Sequence, residues 1–176
     1  MKTPPPVRDS RDDDVPAIQS IYAHHVRHGT GTFELDAPGV EEIRARRADV
    51  LANGFPYLVA QRSGAVVGFA YANYFRMRPA YRFTVEDSIY VADAARGHGV
   101  GRALLQALIG RCQAAGCRQM LAVIGDSANA GSIGLHANAG FRFAGTLRST
   151  GWKFDRWLDA VIMQRELGAG EREPAR

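Results

Sequence analysis

Residues 86–105 read EDSIYVADAARGHGVGRALL, in which a short apolar run, a glycine-rich corner and the start of an apolar helix follow one another. An apolar run of this length is typical of a buried strand. A helix that starts at such a corner leaves several backbone amides unpaired, and its dipole favours negative charge there. Gly97, Gly99 and Gly101 keep that point free of side chains. The segment therefore predicts a strand, a helix and, between them, a site for a phosphate group.

Three phosphate-binding patterns compete for this corner. A Walker loop ends in Gly-Lys-Ser or Gly-Lys-Thr, whereas residues 101–103 are Gly-Arg-Ala. The dinucleotide pattern G-x-G-x-x-G requires a glycine where Arg102 stands. The third pattern, Arg-x-x-Gly-x-Gly, is met by Arg96, Gly99 and Gly101. A tight turn without any ligand is the remaining alternative.

The third pattern, placed between a strand and a helix, resembles the pyrophosphate-binding motif of the GNAT superfamily of acetyl-CoA-dependent N-acetyltransferases. DSANAGSIGLHANAGF, residues 126–141, is similar to that superfamily's second signature, a helix opened by Asn and closed by Gly-Phe. YRFTVEDSIYV, residues 81–91, and SIGLHANAGF, residues 132–141, resemble one subfamily, the phosphinothricin and methionine sulfoximine acetyltransferases. The order of elements resembles the family over residues 1–167.

The resemblance implies that acetyl-CoA binds along these segments. Its pyrophosphate is expected on the amides of residues 96–102, its pantetheine arm along the preceding strand and the second-signature helix, and its acetyl carbonyl on the amide of Val91. The residues expected to bind acetyl-CoA are Ile89, Tyr90, Val91, Arg96, Gly97, His98, Gly99, Val100, Gly101, Arg102, Asn129 and Ser132.

Acetyl transfer to an amine requires a neutral amine, stabilisation of a developing oxyanion and a proton for the leaving thiolate. An α-amine is mostly protonated at neutral pH, so a base must reach it directly or through one water. By the resemblance, Glu86 is the expected base. It alternates with Thr84, Ser88 and Tyr90 on one face of a strand buried on both sides, where a carboxylate is costly without a role. An exposed strand carboxylate is the alternative interpretation.

His136 stands where many members of the superfamily carry a tyrosine that protonates the leaving thiolate, and the phosphinothricin-type enzymes have a histidine there. An imidazole serves as acid or base near neutral pH, so we expect His136 to be a proton donor or a second base. A core histidine bonded within the fold is the alternative. His24, His25 and His28 on the first helix match no pattern and are interpreted as surface or edge residues.

The acceptor side requires a cation for an amino acid carboxylate. Arg78, Arg82 and Lys153 lie in predicted loops or strand ends near that side, although ordinary solvated cations remain an equal alternative. GTGTFE, residues 29–34, resembles the substrate-facing segment of the subfamily. The residues expected to bind the acceptor are Phe33, Glu34, Arg78, Arg82, Thr84 and Lys153.

Hydrophobic periodicity predicts helices over 12–26, 38–53, 99–116 and 129–140, the last of these a short one. Strands are predicted over 57–62, 65–74, 83–91, 119–124, 141–148 and 157–167, with one more near the start. This order indicates an α/β (α+β) fold of the GNAT type: a mixed, mostly antiparallel central sheet with helices on both faces. We expect a single domain over 1–167 and a disordered tail over 168–176.

Composition narrows the alternatives. The formal net charge of +4 suits an anionic partner, but the basic residues are scattered among acidic ones and no nucleic-acid-binding module is recognisable. Cys112 and Cys117 lack the spacing of a metal site, so we expect reduced thiols and no metal. No apolar run approaches the roughly 18 residues that span a bilayer, and the first residues lack a signal peptide's apolar region. A soluble, cytoplasmic protein that does not bind a membrane is expected.

The favoured function is therefore acetylation of the α-amine of a small amino acid analogue, such as phosphinothricin, methionine sulfoximine or methionine sulfone. A protein N-terminus or a polyamine is the alternative acceptor, and a non-catalytic acetyl-CoA sensor is the alternative from another class. The family resemblance implies a homodimer. Trp152 and Trp157 near the last strands fit an apolar interface or the core equally well.

Overall fold

A computed structural model describes residues 4–174 of the chain. The strands in this range are β1 Val7–Asp9, β2 Tyr57–Arg62, β3 Ala65–Tyr74, β4 Thr84–Val91, β5 Gln119–Gly125, β6 Arg142–Lys153 and β7 Arg156–Glu166. The α-helices are α1 Val15–His28, α2 Val40–Ala52, α3 Val100–Ala114 and α4 Ala130–Asn138. Each predicted helix and strand is present, including the extra strand at the start.

One strand is longer than predicted. β6 was expected to end at Arg148 but continues to Lys153, because a two-residue turn joins it directly to β7. Phe154 and Asp155 form that turn with φ of 53° at both positions, the backbone of a type I′ hairpin. Neither residue is glycine or asparagine, so the sequence carries no hairpin signal at this point.

The strands form one sheet in the order β1-β2-β3-β4-β5-β7-β6. Within residues 4–174, only β4 and β5 run parallel, and every other neighbouring pair is antiparallel. The prediction of a mixed, mostly antiparallel sheet is confirmed.

Two consecutive residues of β3 show that helices cover both faces of the sheet. The Phe69 ring packs edge-on against Tyr22 of α1, with ring centroids 6.5 Å apart. Gly68 points to the opposite face, where a β-carbon would lie 3.0 Å from Val100 and 3.2 Å from Leu104 of α3. Because side chains alternate along a strand, α1 and α3 lie on opposite faces. Phe69 and Leu104 are buried in the core that results.

The parallel pair β4–β5 separates halfway along its length. Residues 84–87 pair with 119–122, whereas residues 88–91 pair only with β3. The last residues of β5 instead pair with β7 on its other side. We call the point after Asp87 and Ala122 the fork. Beyond it, the β5-facing edge of β4 is open.

Residues 168–171 form a turn, in which the amide of Gly170 donates to the carbonyl of Leu167 at 3.0 Å. The domain boundary at 167 and the disordered tail stay predictions, and residues 1–3, 175 and 176 within them lie outside the described range. Among residues 4–174, no helix has the length and apolar character needed to cross a membrane.

Candidate active site

A cavity of about 890 Å³ occupies the opening beyond the fork. It is bounded by the end of β4, the glycine corner (residues 96–102), α4, the C-terminal turn of α1 and the loop that follows α1. The predicted site residues that line it are Phe33, Glu86, Ile89, Tyr90, Val91, Arg96, Gly97, Gly99, Val100, Gly101, Arg102, Asn129, Ser132 and His136.

The glycine corner presents backbone amides to this cavity. Gly97 and Gly99 have φ of 73° and 78°, a left-handed conformation that glycine adopts at little cost. Ala103 donates its amide to Gly99 at 3.0 Å, so the first helical residues, Val100 to Arg102, are those whose amides lack an intrahelical acceptor. His98 is the predicted residue of this segment that does not line the cavity; its Nδ1–H donates to the Arg96 carbonyl at 2.8 Å.

The start of α4 forms the opposite side of the cavity. The Asn129 side chain caps this helix, since its Oδ1 accepts from the Ser132 amide at 3.2 Å. Its Nδ2 donates to the carbonyl of Gly125, the last residue of β5, at 3.4 Å. Asn129 therefore fixes the start of α4 to the end of β5.

Glu86 lies at the fork, half-buried, between Asn73 of β3 and Leu121 of β5. Burial raises the pKa of its carboxyl, the neighbouring Asp87 adds to the rise, and Arg76 opposes it. A carboxylate with a raised pKa accepts a proton more readily from an ammonium group than an exposed one does. The surroundings of Glu86 therefore suit a general base.

His136 is buried and uses both ring nitrogens. Its Nδ1–H donates to the Ser132 carbonyl at 2.8 Å, and its Nε2 bonds to Oδ2 of Asp87 at 3.0 Å. Burial lowers the pKa of His136, but the hydrogen bond and the charge of Asp87 outweigh it, so the pKa is raised overall. Both nitrogens donate at once only in the imidazolium form. The pair therefore favours the imidazolium form of His136 beside the Asp87 carboxylate at the fork.

His136 has features of both interpretations, the core histidine and the proton donor or second base. Its side chain is buried like that of a core histidine, and it also lines the cavity. Asp87, which sequence analysis did not single out, is its partner, and Oδ1 of Asp87 is buried without a hydrogen bond among the described residues. A carboxylate on the inward face of a buried strand was a signal that could have identified it.

The loop 29–34 brings in only part of the predicted acceptor site. Phe33 lines the cavity. Glu34 does not, and its Oε1 accepts from Arg46 of α2 at 2.6 Å. Lys153 is also outside the lining: its buried ammonium donates to the carbonyls of Gly29 at 2.9 Å and Thr32 at 2.8 Å. The expectation that Lys153 binds a substrate carboxylate is not supported, because the ammonium is buried and two of its three donors are directed at the backbone.

The remaining acceptor residues, Arg78, Arg82 and Thr84, lie at the end of β4 away from the glycine corner and do not line the cavity. Arg78 and Arg82 are exposed. The guanidinium of Arg82 lies 4.4 Å from the Phe83 ring centroid and donates to the Pro79 carbonyl at 3.2 Å. Their roles stay predictions.

The histidines of α1 line the cavity. His28 is exposed, as the interpretation of a surface residue requires, and His24 and His25 are half-buried. Nε2–H of His25 donates to the Val91 carbonyl at 2.9 Å, on the edge of β4 that β5 leaves open. Burial lowers the pKa of His25, which favours the neutral ring. His24 pairs with Asp93 at 2.7 Å beside the glycine corner. The sequence offers one signal for them, their place in the last turn before the loop 29–34.

Residues 18–141 match the family described as Acetyltransferase (GNAT) family. The chain belongs to the GNAT family of acetyltransferases. The predicted family and enzyme class, a GNAT-type N-acetyltransferase, are confirmed.

Similar GNAT proteins narrow the comparison. A phosphinothricin N-acetyltransferase of Alcaligenes faecalis is 58% identical over 165 residues, covering 94% of this chain and 84% of that protein. An L-methionine sulfoximine/L-methionine sulfone acetyltransferase of Pseudomonas aeruginosa is 39% identical over 169 residues, covering 96% of this chain and 98% of that one. The resemblance to this subfamily is confirmed.

A solved structure of a GNAT protein has the same fold as this chain. The crystal structure of a GNAT superfamily phosphinothricin acetyltransferase from Sinorhizobium meliloti, in complex with AcCoA, superimposes with a TM-score of 0.96 and is 46% identical. The match covers 99% of this chain and 94% of that one.

The Asp87–His136 pair of this GNAT protein can be tested by Asp87→Asn, which keeps the shape and removes the charge. We expect the His136 pKa to fall, because burial would no longer be opposed by a carboxylate. Titration of the imidazole by NMR measures it. An unchanged pKa would show that Asp87 is not what raises it.

The same variant gives a stability test with a definite sign. A folded-state pKa raised above the unfolded value of about 6.5 stabilises the fold fully below that pH, and the contribution is lost as the pH rises through the folded pKa. The loss of unfolding free energy on Asp87→Asn, up to about 3 kcal/mol, should therefore be larger at about pH 5.5 than at about pH 8.5. Denaturant titrations at both pH values measure it, and equal losses would contradict the linkage.

Proposed function

We propose that this protein transfers an acetyl group from acetyl-CoA to the α-amine of a small amino acid analogue such as phosphinothricin, methionine sulfoximine or methionine sulfone. One observation carries the proposal: the opening between β4 and β5 connects a glycine corner that suits a pyrophosphate to a half-buried carboxylate with a raised pKa, Glu86. The named activities of the relatives support the choice of acceptor.

The residues around the cavity suit acetyl-CoA. Val100, Gly101 and Arg102 start α3, where unpaired amides and the helix dipole favour a pyrophosphate. Arg96 and Arg102 line the same region and add positive charge. The open edge of Ile89 and Val91 has main-chain groups available for a pantetheine arm, and Asn129 and Ser132 face it from α4. Acetyl-CoA supplies the acyl group, and we propose these residues as its binding site.

The chain's own residues can then handle the protons. Glu86 takes a proton from the acceptor's ammonium group, and the neutral amine forms a bond to the acetyl carbon. The carbon–sulfur bond breaks, leaving the thiolate of coenzyme A. The imidazolium of His136, held by Asp87, supplies positive charge and a proton to that thiolate. The acceptor nitrogen loses its second proton as the amide forms, which restores the proton given up by the imidazolium, and Glu86 releases its proton to solvent. The products are an N-acetylated acceptor, a free thiol and one proton.

We further propose a homodimer in the cytoplasm. Along β6 and β7 several large apolar side chains are exposed, with Phe143 at 66%, Leu147 at 54%, Trp152 at 53% and Trp157 at 61%. Trp152 and Trp157 pack edge to face, with centroids 5.3 Å apart. An apolar patch of this kind is typical of a protein–protein interface, and a second copy of the chain would cover it.

The proposal is tested by following thiol release from acetyl-CoA with a panel of acceptors. The panel contains phosphinothricin, methionine sulfoximine, methionine sulfone, the common amino acids, spermidine and a short peptide, each with a blank that lacks acceptor. Saturable turnover confined to the sulfoximine, sulfone and phosphinothricin group is expected. Turnover with the peptide or spermidine alone would mean that the acceptor is a protein N-terminus or a polyamine and not an amino acid analogue. Tight acetyl-CoA binding without turnover would indicate a non-catalytic sensor.

Glu86→Gln tests the base. Glutamine keeps the size of the side chain but cannot accept the ammonium proton, so kcat at neutral pH should fall about 10²- to 10⁴-fold. The affinity for acetyl-CoA should change little. Glu41→Gln on the exposed face of α2 is a matched control and should behave like the unaltered protein. Unchanged turnover in Glu86→Gln would remove this residue from the mechanism.

Gly99→Asp tests the glycine corner. Aspartate tolerates the left-handed backbone at this position but adds a negative charge next to the proposed pyrophosphate. Calorimetry should show an affinity for acetyl-CoA reduced about a hundredfold or more. Gly99→Asn adds a side chain of the same size without charge and should lose less affinity for acetyl-CoA than Gly99→Asp does. Equal affinities of the unaltered protein, Gly99→Asp and Gly99→Asn for acetyl-CoA would exclude the glycine corner as the pyrophosphate site. Circular dichroism shows that each protein is folded.

A further inference from the structure

Lys153 is an unusual buried cation. It ends β6, its residue is 3% exposed, and its ammonium donates to the carbonyls of Gly29 and Thr32 at 2.9 and 2.8 Å. Those carbonyls belong to the loop 29–34, which is far away in sequence. A buried lysine is costly unless its donors are paired, so this arrangement joins the loop firmly to the β6–β7 hairpin.

Two glycines form a seat for the aromatic ring of the same loop. A β-carbon at Gly151 of β6 would lie 2.5 Å from the Phe33 ring, and one at Gly125 of β5 would lie 2.9 Å from it. A β-carbon at Gly125 would also overlap the Thr30 carbonyl oxygen. Only glycine at both positions permits this approach of the loop to the sheet. Real β-carbons are essentially never found at these distances.

The seated ring still faces the cavity. Phe33 is 37% exposed and lines the cavity together with Glu86 of the fork and with Gly125, Thr30 and Thr32. Phe33 thus forms an apolar wall on the side where, by the proposed function, the acceptor meets the base. Its position depends on Lys153 from one direction and on Gly151 from another.

We infer that Lys153 is a positioning residue: together with the Gly125–Gly151 seat it fixes Phe33 as the wall that selects the acceptor. Lys153 does not bind the substrate itself. This inference rests on the proposed function, because the acceptor must lie in this cavity for the wall to select it. It replaces the role of substrate cation with one exerted through the loop.

Two independent variants disturb the wall. Lys153→Met keeps the length of the side chain and removes all three donors, which frees the loop. Gly151→Ala leaves Lys153 intact and places a methyl group where the Phe33 ring lies. Gly145→Ala is the matched control, because it adds the same methyl group to the same strand with nothing within 4 Å of it.

The measurements are the KM for phosphinothricin, kcat, and the Kd for acetyl-CoA. In Lys153→Met and Gly151→Ala, the KM should rise about 10- to 100-fold, as expected when a contact made equally to the bound substrate and to the transition state is lost. Both kcat and the acetyl-CoA Kd should stay within about twofold of the unaltered protein, since the base and the glycine corner are untouched. Gly145→Ala should match the unaltered protein in all three.

A double-mutant cycle shows whether Lys153 acts through the ring. Phe33→Ala alone should raise the KM, and adding Lys153→Met to it should raise the KM little further. Hydrogen exchange of amides 29–34 should be faster in Lys153→Met, which tests the loop without any acceptor.

The outcomes separate the two proposals. If the unaltered protein binds acetyl-CoA but acetylates no amino acid analogue, the proposed function fails, and the exchange measurement still tests the attachment of the loop. If the unaltered protein is active and Gly151→Ala and Lys153→Met leave the KM unchanged, the wall is overturned. Additive effects of Phe33→Ala and Lys153→Met would overturn the route through Phe33.

Discussion

The separation of β4 from β5 beyond Asp87 is the constraint on which the rest of the site depends. Four residues of each strand pair in parallel, and then each strand keeps only its other neighbour. Backbone groups left open in this way are costly unless something satisfies them. His25 satisfies the carbonyl of Val91 from one face. The cavity is what remains of the opening.

The two neighbouring carboxylates at the fork, Glu86 and Asp87, lie on opposite faces of β4 in different surroundings. Glu86 faces α1 with its pKa raised, which suits the removal of a proton, whereas one residue later Asp87 faces α4 and holds His136 as a cation. A strand places successive side chains on opposite faces, so two adjacent carboxylates acquire different tasks from the two layers they meet. The proposed base, Glu86, and the proposed acid, His136, thereby lie on either side of one opening.

Much of this arrangement could be predicted from local sequence. Residues 96–102 predict the glycine corner, since glycine adopts positive φ at little cost and the start of any helix exposes unpaired amides. Asn129 likewise predicts the start of α4, because asparagine is a preferred N-cap residue. The partners of Asp87, His25 and Lys153 could not be predicted in this way. Each of these residues acquires its partner from a segment at least 49 residues away, and no local pattern encodes such a meeting.

The amino-acid sequence by itself therefore predicted the order of elements and the glycine corner, because hydrophobic periodicity and glycine conformation act over a few residues. It predicted the family through the resemblance of residues 81–91, 96–101 and 126–141 to known motifs. The tertiary structure decided which polar groups are already paired, because their partners come from distant segments of the chain. Lys153 illustrates the difference: its charge made it a reasonable substrate ligand, yet burial against two carbonyls makes it a support for Phe33. Burial and hydrogen bonding are properties of neighbours, and neighbours are known only once the chain is folded.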